Sequence, residues 1–254
     1  MVRRGGSSGE KRLPYVQLAW QADNTTTDRA LFVAEQGTIF VLDPTQVMFS
    51  LGNVTSKVRL AHFATRREAD CVARTGTVVV DMFGGIGYYS LPLAKTLSAW
   101  ADANPSLPPP SLHALELNEV SLSFLRRGMK ANKLSRRLTM TLTAGDSHTA
   151  APHLNGTAHR VLMGLLPTPR SFMARALSLI SLDEGGVIHY HMAEEVSQDF
   201  ATAAMNDVAH AWHDGGRGPT SRSDVRVLGV HRVKDYAPRV VHVIVDLWVP
   251  PADP

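Results

Sequence analysis

The stretch VVVDMFGGIGYYSLPLA, Val78–Ala94, passes from an apolar run through three glycines into a segment with helical spacing. A strand, a tight turn and a helix start in that order commonly serve a nucleotide. Gly85 and Gly87 have no Cβ, so the backbone can turn sharply and approach a ligand closely. The helix start beyond them offers unsatisfied N–H groups and the positive end of a helix dipole. The glycines alone leave the nucleotide open, because a tight strand–helix turn also occurs without a ligand.

Working outward, strand-like runs fall at Thr77–Asp81, Leu112–Glu116, Leu138–Leu142, Arg160–Gly164 and Gly186–His191. Helical stretches alternate with several of them, at Tyr88–Ala101, Val120–Asn132, Ser171–Ile180 and Glu194–Trp212. Apolar strands alternating with helices predict a parallel sheet covered on both faces. The last two runs, DVRVLGV and VVHVIVDLWV, are separated only by HRVKDYAPR, too short a link for a helical crossover, so this pair is expected to be antiparallel. The fold class read here is α/β: a seven-stranded, Rossmann-like sheet of the class I methyltransferase-like kind, with a small N-terminal β-hairpin extension. That hairpin is RALFVAE and GTIFVLD around Gln36, followed by a helix beginning near Val54 with Asn53 as N-cap. The expected divisions are a flexible tail over 1–28, the hairpin and helix over 29–70, and the ligand-binding domain over 71–254. Ala103–Ser111 (ANPSLPPPS) reads as a proline-rich surface loop and His213–Asp224 as a flexible connector.

Three acids narrow the ligand. Asp81 ends the first strand before the glycine turn, Glu116 ends the second in LHALELN, and Asp146 follows the third in LTAGD. A carboxylate at Glu116 can accept both hydroxyls of a ribose. A nicotinamide fingerprint places its acid roughly 20 residues past the glycines; here it comes later, and the proline-rich insertion accounts for the difference. Acids after three successive strands suit an adenosine without phosphates, and so favour S-adenosyl-L-methionine.

The bulk composition constrains the setting. The chain has 254 residues, 44% hydrophobic and 19% charged, enough for one substantial core. No run approaches the about 18 uncharged apolar residues of a membrane span, and the start MVRRGGSSGEKRLP is basic without an apolar segment. Its one cysteine, Cys71, reads as an ordinary thiol and fits a reducing, cytoplasmic setting. The net charge of +3 is mild, but Arg126, Arg127, Lys130, Lys133, Arg136 and Arg137 cluster; such a group can track phosphates or form a solvated helix face.

The blocks MFSLGNVTSKVRLAHF, VVDMFGGIGYYSLPLA, ALELN, RVLMGLLP, GGVIHYH and RVKDYAPRVVHVIVDL occur in the order found in the tRNA wybutosine-synthesizing protein 2 family, which the chain resembles from Gly37 to Leu247. The MFS-GN---K-R block is the most specific, because generic methyltransferases lack it. The sister family of tRNA guanine-N1 methyltransferases shares the sheet and the glycine turn, but normally carries Asn-Leu-Pro after the fourth strand, where this chain has MGLLP. The resemblance implies an S-adenosyl-L-methionine-dependent transferase. Its members move the 3-amino-3-carboxypropyl group to a ring carbon of 4-demethylwyosine, beside the anticodon of tRNA-Phe, and release methylthioadenosine. No base for the displaced ring proton is legible.

By the same resemblance, Ser50 and Lys57 are expected to contact the cofactor, Lys57 through the methionine carboxylate, although an exposed helix lysine is the ordinary reading of such a residue. Asp81, Phe83, Gly85 and Gly87 are placed at the cofactor turn, Glu116 at the ribose, and Asp146 with Ser147 at the adenine. Asn53, Arg59, Leu165, Pro167 and His189 are placed around the acceptor base. Phe83 and Tyr88 could also stack on a base, although helix-start aromatics are more often core. Where the family usually has Ala, Asn-Arg and, in eukaryotic members, Asn, this chain has Gly84, Ser147-His148 and Leu162. These departures bear on the acceptor more than on the cofactor, and those at Ser147-His148 and Leu162 motivate the reading of a non-catalytic RNA-binding relative; the shared sheet and glycine turn keep a guanine-N1 methyltransferase at the same nucleotide as the other alternative. His189 and His191 share a strand face in HYH, but no third ligand accompanies them, so no metal site is expected.

Overall fold

The computed structural model describes residues 2–11, 13–18, 28–49, 53–62, 76–213 and 225–252. Ser50, Cys71 and most of the connector before Asp224 lie outside the described residues. The central sheet has seven strands in the order β10-β11-β9-β8-β5-β6-β7. Its parallel part comprises β5 (Val78–Asp81), β6 (Ser111–Glu116), β7 (Thr139–Ala144), β8 (Arg160–Met163) and β9 (Gly186–Glu195). A closing antiparallel pair, β10 (Arg226–Ala237) and β11 (Val240–Val249), joins through β11 to β9. The predicted α/β class and the count of five parallel strands plus a terminal hairpin hold.

The strands alternate faces, and both faces are covered. Val79 packs in one apolar cluster and its neighbour Val80 in the other, both wholly buried. The first cluster includes Leu91 and Leu93 of α2 (Ser90–Ala103) and Leu122 and Leu125 of α3 (Glu119–Ala131). The second includes α4 (Met173–Leu179) and α5 (Phe200–His213), through residues such as Leu177 and Val208. The hairpin of β3 (Leu31–Glu35) and β4 (Thr38–Leu42) contributes Phe40, Val41 and Leu42 to the first cluster, as does Leu60 of α1 (Val54–His62). The described part of the 29–70 extension thus shares a core with the sheet.

Several boundaries differ from the sequence reading. The helix after the glycine turn begins at Ser90, not Tyr88, with Pro92 in its first turn, where a missing N–H costs nothing. Glu194 is strand, not helix: β9 continues to Glu195 because β11 pairs with its full length, Val240 opposite Glu195. The following helix starts only after Asp199, whose carboxylate accepts from the N–H groups of Ala201 and Thr202 at 3.1 and 3.3 Å. The link HRVKDYAPR is mostly strand as well, and β10 reaches β11 through a tight turn with Arg239 at φ 60°. The stretch expected as a flexible tail contains two antiparallel strands, β1 (Val2–Ser8) and β2 (Leu13–Leu18). Gly9, at φ 69°, closes their turn, and Asn118 Nδ2 donates to the carbonyl of Lys11 at 3.3 Å. That long-range contact leaves no local signal in the sequence.

Candidate active site

The chain runs from β5 outward through β6 and β7, then returns to lay β8 and β9 on the other side of β5. The β5/β8 boundary is therefore the switch point, where α/β sheets bind ligands beyond the carboxyl ends of the strands. A cavity of about 660 Å³ opens there. It is lined from the glycine turn by Phe83 and Gly85, from the strand ends by Glu116, Asp146 and Ser147, and from the loop after β8 by Leu165 and Pro167. Asn53 reaches it from the start of α1.

Glu116 is the hub of the cavity. Its Oε2 accepts the N–H of Gly85 at 2.8 Å, and Oε1 accepts that of Asn118 at 2.8 Å. The glycine turn and the second strand end are thereby tied together by one carboxylate. Gly85 sits at φ 52° with no atom closer than 3.8 Å to where a Cβ would stand, leaving a bare backbone beside that carboxylate. Asp146 is exposed and accepts the N–H of His148 at 2.9 Å. Ser147 is buried, its hydroxyl donating to the carbonyl of Met82.

Other predicted site residues act elsewhere. Asp81 is buried behind the turn; it accepts from Ser90 Oγ at 2.6 Å and from the Phe83 N–H at 3.1 Å. Burial pushes its pKa up to about 6, against the pull of those hydrogen bonds, and nearby Glu116 adds to the rise. Asp81 shapes the turn and does not line the cavity. Gly87 does not either: at φ 95° a Cβ would meet Leu91 and Leu125 at 2.6 Å, so its role is the close packing of α2 on α3.

Lys57 points away from the cavity. It is 3% exposed, pairs with Glu35 at 2.6 Å, and lies over the rings of Phe40, Phe49 and Tyr88 at 4.9, 5.6 and 5.1 Å. Arg59 pairs with Asp246 at 2.8 Å. His189, placed by the sequence at the pocket, is wholly buried below it: Arg160 Nε donates to its Nε2 at 2.8 Å, and its Nδ1–H donates to Asp246 at 2.7 Å. Burial, helped by the Arg160 charge, pushes its pKa down to about 4. Burial alone would raise Asp246, but the hydrogen bonds and charges of His189 and Arg59 outweigh it and hold the carboxyl well below its usual range. These residues are a structural ion network. Asn53 is not the cap the sequence suggested, since its Oδ1 finds no hydrogen-bond partner among the described residues.

The structure adds residues that the sequence did not single out for the cavity. His191 and His242 line it from β9 and β11, and Tyr89 lines it beside Ser56, with the two hydroxyls 3.3 Å apart. Burial lifts the Tyr89 phenol to about 12. On the opposite wall the His148 ring stacks on Phe172 at 3.8 Å, and Phe172 meets Phe83 edge-on at 4.9 Å. Behind the Pro167 loop, Thr168 and Tyr190 share a hydrogen bond of 2.9 Å, and Tyr190 donates to Asp207 at 2.6 Å. HYH was visible in the sequence; His242, in VVHVIV, carried no signal until β11 paired with β9.

The family model described as the TRM5/TYW2 methyltransferase domain matches residues 32–213. The chain belongs to this family. The TRM5/TYW2 match spans the hairpin, the glycine turn and all five parallel strands. A Pyrococcus horikoshii relative named tRNA(Phe) (4-demethylwyosine(37)-C(7)) aminocarboxypropyltransferase is 30% identical over 98% of the chain and 76% of its own length. An Arabidopsis thaliana tRNA wybutosine-synthesizing protein 2/3/4 is 32% identical over 84% of the chain, which spans only 19% of that longer protein. The crystal structure of P. horikoshii TYW2 in complex with MeSAdo superposes with a TM-score of 0.68 at 28% identity, covering 89% of this chain and 73% of that one.

Proposed function

We propose that the protein transfers the 3-amino-3-carboxypropyl group of S-adenosyl-L-methionine to the ring carbon of 4-demethylwyosine in the anticodon region of tRNA-Phe, and releases methylthioadenosine in the cytoplasm. The observation carrying this reading is the likeness, at 30% identity over 98% of the chain, to a relative named for that transfer. The cavity suits it. Its polar lining of Glu116, Ser147 and Asn53, and the bare backbone at Gly85, fit an adenosine with a polar tail, the Glu116 carboxylate at the turn being unfavourable to a pyrophosphate.

Glu116 would hold the ribose, and Asp146 with Ser147 the adenine edge. When bound, the sulfonium supplies electrophilic carbons, one of which is selected by orientation. Phe83, Leu165 and Pro167 exclude water where sulfonium and base meet. Transfer needs no covalent protein intermediate, because the electron-rich ring carbon attacks directly. The basic groups Arg126, Lys130, Lys133 and Arg136 are exposed on and after α3 and are assigned to the tRNA backbone. No helix among the described residues is long and apolar enough to cross a membrane.

Incubation with S-adenosyl-L-methionine and tRNA-Phe bearing 4-demethylwyosine tests the reading. The expected product is methylthioadenosine, with the nucleoside gaining the mass of the aminocarboxypropyl group. S-adenosylhomocysteine in its place would make the protein a methyltransferase, and tRNA binding with neither product a non-catalytic relative.

A further inference from the structure

Three buried polar atoms without a hydrogen-bond partner among the described residues belong to side chains that line the cavity: Asn53 Oδ1, His191 Nε2 and His242 Nδ1. Leaving a buried polar atom unpaired is costly, and such atoms call for a specific explanation, a catalytic role being one. His191 is 1% exposed and His242 is 1% exposed, and they are diagonal neighbours across the β9/β11 ladder, where His191 stands opposite Ile244 and His242 opposite Ala193. His191 Nδ1 and His242 Nε2 are 3.0 Å apart, so a single proton is shared between them. With that proton on His191 Nδ1, its Nε2 is a bare lone pair, and His242 keeps its own proton on Nδ1. Burial holds both rings neutral, His191 well below the ordinary imidazole range and His242 at about 4. The neighbouring charges are Arg59 and His189, which oppose protonation of His191, Asp246, which favours it, and Lys234, which opposes that of His242. The Tyr89 ring packs edge-on against His191 at 5.0 Å.

Resting on the transfer proposed above, we infer that His191 is the base that removes the proton from the acceptor ring carbon, with His242 behind it sharing the charge. The new bond from ring carbon to γ carbon forms as the γ carbon–sulfur bond breaks, and that electron pair leaves on sulfur. The ring carbon then holds both its hydrogen and the new group, and the ring carries the positive charge. The Nε2 lone pair takes the hydrogen as a proton, and the C–H electron pair returns to the ring. The imidazolium so formed donates from Nδ1 to His242 Nε2. No oxidant or further reactant is required. The nucleoside then carries the new group on a neutral aromatic ring, and the protein is restored once Nε2 releases the proton to solvent.

The test uses the full chain, wild type beside His191→Gln and His242→Gln, in single turnovers at saturating S-adenosyl-L-methionine. The acceptor tRNA carries hydrogen or deuterium at the reacting carbon. His191→Gln should slow transfer by about 100-fold or more, the usual worth of a placed base. It should leave the affinities for S-adenosyl-L-methionine and tRNA unchanged, and expose a primary deuterium isotope effect that the wild type lacks. His242→Gln should slow transfer less, by about tenfold, because it removes only the partner that shares the charge. A second measurement needs no variant and no turnover: ¹⁵N spectra of the histidine rings in the ligand-free wild type should show His191 protonated on Nδ1 and bare on Nε2 at neutral pH. A His191→Gln rate equal to wild type, a loss that saturation with both substrates restores, or a proton resident on Nε2 would each overturn the assignment. If the wild type itself yields S-adenosylhomocysteine or no product, the transfer reading fails and the assignment falls with it. A wild type that releases methylthioadenosine beside an equally fast variant overturns the assignment alone.

Discussion

The two halves of the sheet treat their charged groups in opposite ways. On the β5–β6–β7 side the acids stand at strand ends: Glu116 and Asp146 line the cavity, and Asp81 braces the turn one layer back. On the β9–β11 side His189, His191, His242 and Asp246 lie mid-strand and buried, each needing a partner from another strand or helix. The first half displays its chemistry beyond the ends of parallel strands, where loops leave room. The second encloses its chemistry, because antiparallel pairing with β11 brings side chains together inside the sheet layers. The glycine-turn half thus opens its polar groups to the cavity, whereas the histidine half meets the cavity with buried polar side chains.

Four measurements would break or sharpen that contrast. The largest effect is expected at Asp246, the acceptor for Arg59 and His189. Asp246→Ala removes the carboxylate that accepts from the part-exposed Arg59 guanidinium and from the buried His189 Nδ1–H, and should cost about 1–3 kcal/mol in denaturant unfolding; a near-neutral result would mean that the network is not structural.

Next comes pH. His189 and His242 are depressed in the fold from the ordinary imidazole value of 6.5 to about 4. A depressed histidine contributes stability that is present above 6.5 and is lost as pH falls through about 4. At 1.36 kcal/mol per unit, each should withdraw about 3 kcal/mol over that window. Asp81 has the reverse sign: raised from 3.8 to about 6, it contributes stability fully present below 3.8 and lost as pH rises through 6. Thermal melts from pH 7 to 4 should therefore fall less steeply in His189→Gln than in wild type, and more steeply in Asp81→Asn. Slopes identical to wild type in both variants would end the contrast.

Third, Glu116→Gln replaces an acceptor of two backbone N–H groups by a side chain with one acceptor oxygen. Calorimetry should show affinity for S-adenosyl-L-methionine weakened by about 10- to 100-fold, with a much smaller change in stability. The smallest effect on binding is expected at Lys57. Its pairing with Glu35, outside the cavity, predicts that Lys57→Met leaves cofactor affinity as it was and instead lowers stability by about 1–2 kcal/mol. A loss of affinity there would restore the carboxylate contact that the family resemblance implies and would place Lys57 in a second arrangement.

The fold was largely legible because its signals are local. Apolar runs of strand length alternated with amphipathic helices, and a link too short for a crossover marked the antiparallel ending. The acids at Glu116 and Asp146 were legible for the same reason: a residue just past a strand end stands at the sheet's edge whatever its neighbours do. Lys57, Arg59 and His189 were misplaced because motif membership says which residues are near a site, not which way their side chains point. Their directions depended on Glu35, Asp246 and Arg160, distant in sequence. The β1–β2 pair was read as tail because its anchor to Asn118 is 107 positions away.

By itself, then, the sequence determined the sheet, the position of the glycine turn, the acids beyond its strands and the family. These follow from periodicity and from backbone chemistry within a few residues. Only the tertiary structure decided that His191 meets His242, that Asp81 braces the turn and Gly87 serves packing, and that Lys57 faces away from the cavity. Each of those outcomes rests on register between strands or on a partner far along the chain, and burial then sets whether a titratable side chain is charged, neutral or unpaired.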